Sequence, residues 1–377
     1  MSRILSGRRV LLTGHTGFKG GWLALWLRRL GADLSAVALP PADGVPSFFR
    51  AVGVEDVVDR HRLADITDEA ALAAAVAGVD AELVIHMAAQ ALVRPSYEKP
   101  VETFRTNVVG TAMVLEAARR MPSLRGVIVV TSDKCYENVD WDWGYRENDR
   151  LGGSDPYSAS KGCAELVVTS WRRSFFAEPD APLLASVRAG NVFGGGDWSV
   201  DRLVPDIIRA VRAGEPALIR NPRSIRPWQH VLEPLSGYLE LAVGLLEGRR
   251  ELADAWNFGP DNESVVDVET LARSFRRAWG SGLHFEFGSI GPAVHEARTL
   301  RLDSSRAKMA LGWRPRLTLD AAVDLTVEWY RALLGGERDM RALSERQIER
   351  YTAGIEPAPA SEKVIPISRA GEATICA

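Results

Sequence analysis

Short apolar runs alternate with longer stretches of helical periodicity through the first half of the chain. Val10-Leu11-Leu12 is the first apolar run, followed by a glycine-rich turn from Gly14 to Gly20. A helical pattern then runs from Trp22 to Leu30 and is closed by Gly31. Leu34–Leu39 reads as a second strand, and Asp68–Ala77 as an alanine-rich helix opened by an aspartate cap. Leu83–His86, Gly126–Thr131 and Leu183–Arg188 read as further strands. Long helices are expected at Val101–Arg120 and Tyr157–Phe176. Apolar strands separated by helices predict βαβ units, so the fold class is α/β: a doubly wound parallel sheet, covered on both faces, with right-handed crossovers.

After about residue 190 the pattern changes. Gly194-Gly195-Gly196 marks a loop, and Pro205, Pro216, Pro222 and Pro227 break the chain into short pieces, with helices near 203–213 and 233–248. The expected organisation is a nucleotide-binding domain over 1–190, to which some later segments return, and a smaller mixed substrate lobe over 191–354. The segment 355–377 lacks periodicity and reads as a disordered tail. Bulk properties fit a soluble globular protein: 377 residues, 46% apolar and 25% charged. A net charge of −3, with mixed signs, argues against nucleic-acid binding. Cys135, Cys163 and Cys376 have no pairing or metal spacing, which suggests a reducing compartment. The first apolar run is too short for a signal core or a membrane span, so cytoplasmic residence is expected. Six scattered histidines, His295 beside Glu296 among them, give no metal site.

Gly14, Gly17 and Gly20 lie in a turn between a strand and a helix. Without a Cβ, such glycines permit a tight turn and close approach of backbone to a pyrophosphate, and the helix N-terminus offers N–H groups to it. That context predicts a Rossmann-type dinucleotide site. The second strand ends Ala38-Leu39-Pro40-Pro41, with no acidic residue at its tip. Asp43 lies slightly beyond, and Asp65 is better placed for the adenosine; the choice between NAD and NADP stays open.

Tyr157 and Lys161 are four apart at a helix start and share a face. An ammonium beside a phenol should lower the phenol's pKa from about 10 towards neutrality and make it a base. Ser132 ends the buried strand about 25 residues earlier. Taken together, Thr13–Gly20, His86-Met87-Ala88-Ala89-Gln90, Asn107, Ser132 and the Tyr157/Lys161 pair resemble, in order and spacing, the extended short-chain dehydrogenase family over residues 8 to 330. The resemblance implies NAD held by Gly14, Thr16, Gly17, Phe18, Lys19, Gly20, Asp65, Ile66, Ala88, Ala89, Gln90, Asn107, Tyr157 and Lys161. It also implies hydride transfer at a sugar hydroxyl, and dimers or tetramers through a helical interface.

Ser132 is followed by Asp133 and Lys134. An epimerase needs only hydride out and back, whereas a 4,6-dehydratase also needs an acid and a base beside the sugar. Related dTDP-glucose and GDP-mannose dehydratases carry Asp-Glu here; Asp-Lys resembles CDP-glucose dehydratases and some UDP-N-acetylglucosamine dehydratases. GHTGFKG (14–20), SDKCYEN (132–138), RAGNVFGGGDW (188–198) and RPWQHVLEPLSGYL (226–239) favour the CDP-glucose subfamily. The expected catalytic set is Ser132, Asp133, Lys134, Tyr157 and Lys161. Expected substrate contacts are His86, Arg94, Asn138, Asn191, Arg202, Arg226 and Arg298, with the arginines on phosphate. Trp141 and Trp143 are candidates for a pocket lid. The competing readings are a UDP-N-acetylglucosamine dehydratase, a 4-epimerase, and a non-catalytic NAD-sensing module.

Overall fold

The structure, a computed structural model, describes residues 1–288 and 299–354. Arg298, the His295–Glu296 pair and the segment 355–377 lie outside the described residues. Seven parallel strands form the central sheet: β1 (Arg9–Thr13), β2 (Asp33–Ala38), β3 (Arg60–Leu63), β4 (Leu83–His86), β5 (Gly126–Val130), β6 (Leu183–Arg188) and a last strand, Ala255–Asn257. Their spatial order is Ala255–Asn257, β6, β5, β4, β1, β2, β3. The strand order reverses between β1 and β4, where such sheets open a crevice at the carboxyl ends of the strands.

Strand alternation sorts the core into two layers. Val10 and Leu12 point into one cluster with Trp22, Trp26 and Leu235, while Leu11 points into the other with Val114 and Val168. Ile128 and Val127 divide in the same way. Because both faces are covered, the strands read as unbroken apolar runs.

Most expected elements stand within a residue or two of their observed bounds. The first helix differs, starting at Phe18 and not Trp22, because Gly17 takes the N-cap position with extended backbone. The long helix expected over 101–120 runs from Pro100 to Arg119 but widens into a π-turn at Arg105–Val109. Asp68 caps its helix as expected, its carboxylate accepting from Ala71 N–H at 2.9 Å. The strand Ala255–Asn257 joins the sheet from the C-terminal half, pairing with β6. Helices Leu203–Ala213, Leu232–Leu246, Val268–Trp279, Leu319–Leu334 and Met340–Ala353 are the longer helices of that half. Among the described residues no helix is long and apolar enough to cross a membrane.

Candidate active site

One cavity of about 1260 Å³ runs along the carboxyl ends of the strands. Gly14, Leu39 and Asp65 line one end; Ser132, Tyr157 and Lys161 line the middle; Asn191, Arg202 and Arg226 line the far end. A pocket of 300–1,000 Å³ suits one ligand, so this one has room for a dinucleotide and a second nucleotide together.

The glycine turn fits a pyrophosphate. Gly14 has φ +82°, and a Cβ there would stand 2.7 Å from Ala88 N. A Cβ on Gly20 would stand 2.1 Å from the Gly14 carbonyl oxygen. Any side chain at either point would close the groove or push β1 and β4 apart. Thr16 donates to the Leu39 carbonyl at 2.8 Å, tying the turn to the end of β2. Thr16, Phe18, Ile66, Ala88 and Ala89 also line the cavity, and the donor set fits a dinucleotide.

The middle of the cavity is built on two capped elements. Ser132 caps the short turn Asp133–Cys135, its Oγ accepting from Lys134 N–H at 3.2 Å and donating to Asp133 Oδ1 at 3.0 Å. Asp155 caps the helix Pro156–Phe175 and accepts from Ser158 N–H at 2.9 Å, which holds Tyr157 in the first turn. Asp133 is 1% exposed, and its Oδ2 has no hydrogen-bond partner among the described residues. Gly190 makes room for it: a Cβ there would lie 1.6 Å from that oxygen. Lys134 lines the cavity, and its ammonium has no partner among the described residues.

Titration of Tyr157 departs from the expectation. Burial pushes the phenol up to about 12, and the Asp133 carboxylate adds to the rise against the Ser132 hydrogen bond and Arg202. Burial acts on Lys161 as well. Its amine falls to about 8, with Glu165 opposing the fall. Lys19 also faces this region, donating to Tyr238 Oη at 3.2 Å. Burial, then Arg202 and Lys161, push its amine down to about 7.

Several expected contacts sit behind the cavity wall and not in it. His86 is 2% exposed, with Nδ1 2.7 Å from Thr13 Oγ1 and Nε2 3.1 Å from Thr111 Oγ1. Burial, then Lys161, press it down to about 3, so it is a neutral core histidine and not a sugar contact. Asn107, in the π-turn, brackets the backbone of Gln90: its Oδ1 accepts from Gln90 N–H at 2.9 Å and its Nδ2 donates to Gln90 O at 3.0 Å. The Gln90 side chain closes on Leu92 N–H at 2.6 Å. These two residues shape the loop after β4 and do not line the cavity. Asn138 does line it, but its amide is engaged by Thr299 O, Asp140 N–H and Tyr145 Oη. Trp141 packs on the Tyr145 ring at 5.2 Å and Trp143 is 73% exposed; neither lines the cavity, so the expected lid is not formed by these two side chains in this structure.

At the far end Asn191 stands with φ +48°, its side-chain amide without a partner among the described residues. Arg94 pairs with Asp201 at 3.6 Å and Arg202 with Asp197 at 3.1 Å. Arg226 is 6% exposed, and its own strand pairs with Val265–Asp267. Arg220 and Arg223, which the sequence reading passed over, line the same end. They lie in a proline-broken stretch without periodicity, so only their place on the loop after Ala217–Ile219 reveals them.

Residues 10–242 match the NAD dependent epimerase/dehydratase family. A CDP-glucose 4,6-dehydratase of Salmonella typhimurium is 49% identical over 350 residues, spanning 92% of this chain and 96% of that protein. A dTDP-glucose 4,6-dehydratase of Mycolicibacterium smegmatis is 30% identical, over 86% of this chain and 93% of that one. Among solved structures, a Thermus thermophilus UDP-glucose 4-epimerase in complex with NAD superposes with a TM-score of 0.72 at 23% identity, covering 86% of this chain and 99% of that one. A Bacillus anthracis dTDP-glucose 4,6-dehydratase in complex with NAD gives 0.70 at 17%, covering 89% and 100%.

Proposed function

The chain belongs to the NAD dependent epimerase/dehydratase family, and from that premise we propose that it dehydrates CDP-glucose to CDP-4-keto-6-deoxyglucose. One observation carries the reading: Asp133 and Lys134 line the same cavity as Tyr157 and Lys161. Hydride exchange alone has no use for a buried carboxyl with an unpartnered oxygen beside an unpaired amine. Elimination of water needs both.

NAD, when bound, would supply a hydride acceptor for C4 of the sugar and a hydride donor for C6 within one turnover. Gly14, Gly17 and Gly20 hold its pyrophosphate, with Thr16 and Phe18 beside them. Tyr157, hydrogen-bonded to Ser132, receives the C4 hydroxyl proton as its phenolate and becomes the phenol, and the Lys161 ammonium supports the phenolate before that transfer. The C4 ketone acidifies C5–H. Lys134 takes the C5 proton, Asp133 delivers a proton to the C6 hydroxyl, and water departs. A proton then returns to C5. Asn191, Arg202 and Arg226 hold the nucleotide diphosphate, with Arg94 beside them. The portion up to about residue 190 thus serves the cofactor, and the lobe 191–354 serves the sugar nucleotide.

Incubation with CDP-glucose and catalytic NAD, followed by mass spectrometry, tests the reading. The expected product is lighter by one water. A product of unchanged mass, or water loss only from a UDP- or dTDP-sugar, overturns it. The protein is further proposed to work in the cytoplasm as a dimer. Val101, Phe104 and Val109 on one helical run and Leu166 and Phe175 on the packed helix Pro156–Phe175 leave large apolar side chains exposed. Sedimentation at a monomer's mass would remove the dimer.

A further inference from the structure

We infer that the buried ion pair Glu165–Arg188 is a positioning device for the turn that carries Ser132, Asp133 and Lys134. The inference rests on the dehydration proposed above. Glu165 and Arg188 are 1% and 3% exposed in their side chains and meet at 2.7 Å. Neither lines the cavity. Two of their remaining bonds run to the two ends of the catalytic turn, while Arg188 Nη1 also donates to the Glu147 carbonyl at 3.0 Å. Thr131, immediately before Ser132, donates its hydroxyl to Glu165 Oε1. Arg188 donates from Nη1 to Tyr136 Oη at 2.6 Å, two residues beyond Lys134, and its guanidinium lies 4.9 Å from that ring.

Two further links reach the remaining groups of the site. Glu165 stands one turn after Lys161 on the same helix, so its carboxylate is the charge that favours the Lys161 ammonium from beneath. Arg188 precedes Gly190 by two residues, and Gly190 forms the wall against Asp133 Oδ2. Ser186 completes the set, donating to Glu165 Oε2 at 2.8 Å. Burial works to raise the Glu165 carboxyl, but Arg188 and the hydroxyls of Thr131 and Ser186 outweigh it, so the carboxylate stays charged.

A buried ion pair is a poor device for stability. Exchanging both partners for apolar residues of similar volume is often neutral or stabilising, whereas removing one leaves an uncompensated charge. That asymmetry separates positioning from mere support. The double variant Glu165→Leu/Arg188→Met is expected to keep its melting temperature. It is expected to lose about 10²-fold in kcat, the scale of a 1 Å misplacement, with KM little changed. Amide hydrogen exchange over residues 131–136 should quicken in the same variant. The alkaline limb of its pH–kcat profile should move to lower pH, because Lys161 loses the charge that holds its proton.

Thr131→Val and Tyr136→Phe cut one link each and leave the ion pair intact, so they serve if the double variant does not fold. Each is expected to lower kcat and to leave the melting temperature near the wild-type value. Wild-type kcat and wild-type exchange in the folded double variant, or in both single variants, overturn the inference. If the wild-type enzyme releases no water from CDP-glucose, the proposed function fails alone, and exchange over 131–136 still decides the role of the pair.

Discussion

The two ends of the cavity are built to different standards. At the sugar end, Asp133, Tyr157 and Lys161 are almost wholly buried, and the backbone around them is fixed by Ser132, Asp155 and Gly190. At the adenosine end, Leu39 is 56% exposed, no acid stands at the tip of β2, and Asp65 is exposed. The difference follows from redox bookkeeping. A hydride that leaves C4 and returns to C6 regenerates the cofactor in place, so selection between NAD and NADP carries little benefit. Misplacing an acid or a base beside the sugar is costly in rate.

The comparison breaks first at Lys134. Lys134→Met is expected to lower turnover by about 10²–10⁴-fold, the usual share of a general base, while NAD titration gives an unchanged Kd. Turnover at the wild-type rate would remove the base from the elimination and leave an oxidoreductase with an idle lysine. Gly190→Ala comes next. The new methyl collides with Asp133 Oδ2 and must displace the carboxyl, so kcat should fall by about 10²-fold. Overpacking should also cost about 1–3 kcal/mol of stability, read by urea unfolding. A fall in stability with unchanged kcat would show that the place of Asp133 is immaterial to the chemistry.

A milder effect follows from Lys161. Its amine is pushed down to about 8, so the ammonium is present below that pH and lost as pH rises through it. If the ammonium supports the Tyr157 phenolate, kcat/KM should fall above about pH 8, approaching tenfold per pH unit. A flat profile up to about pH 10, where a free lysine titrates, would mean that Lys161 acts without its charge.

Much of this frame was legible from residue patterns, for a physical reason. A parallel sheet buried on both faces forces unbroken apolar strands, and glycines at a strand–helix turn mark backbone crowding that the structure measures at Gly14 and Gly20. What stayed hidden depended on which side of a wall a polar group faces. His86, Gln90 and Asn107 follow strands or occupy helices near the site, yet their polar atoms are consumed by Thr13, Leu92 and Gln90 backbone. Spacing along the chain does not distinguish a ligand contact from the group that braces it. The phenol's titration was hidden for a related reason: burial acts on Tyr157 and Lys161 together, so the pair does not behave as an exposed ammonium beside an exposed phenol. Ala255–Asn257 escaped because three residues carry too little period to read as a strand.

The smallest effect is expected at Asp65, and it tests the loose end of the cavity directly. Its Oδ1 already accepts from Thr67 N–H at 2.8 Å and from Thr67 Oγ1 at 2.9 Å, holding the turn that opens the Asp68 helix. The second oxygen remains for an adenosine hydroxyl or amine, on a residue that is exposed. A hydrogen bond made there exchanges one partner for another and is worth about 1 kcal/mol. Asp65→Ala should therefore weaken NAD binding by less than about tenfold and leave the ratio of NAD to NADP affinities nearly unchanged. Fluorescence titration with both dinucleotides measures this. A hundredfold loss confined to NAD would make Asp65 a true discriminator, and the adenosine end would then be as exacting as the sugar end.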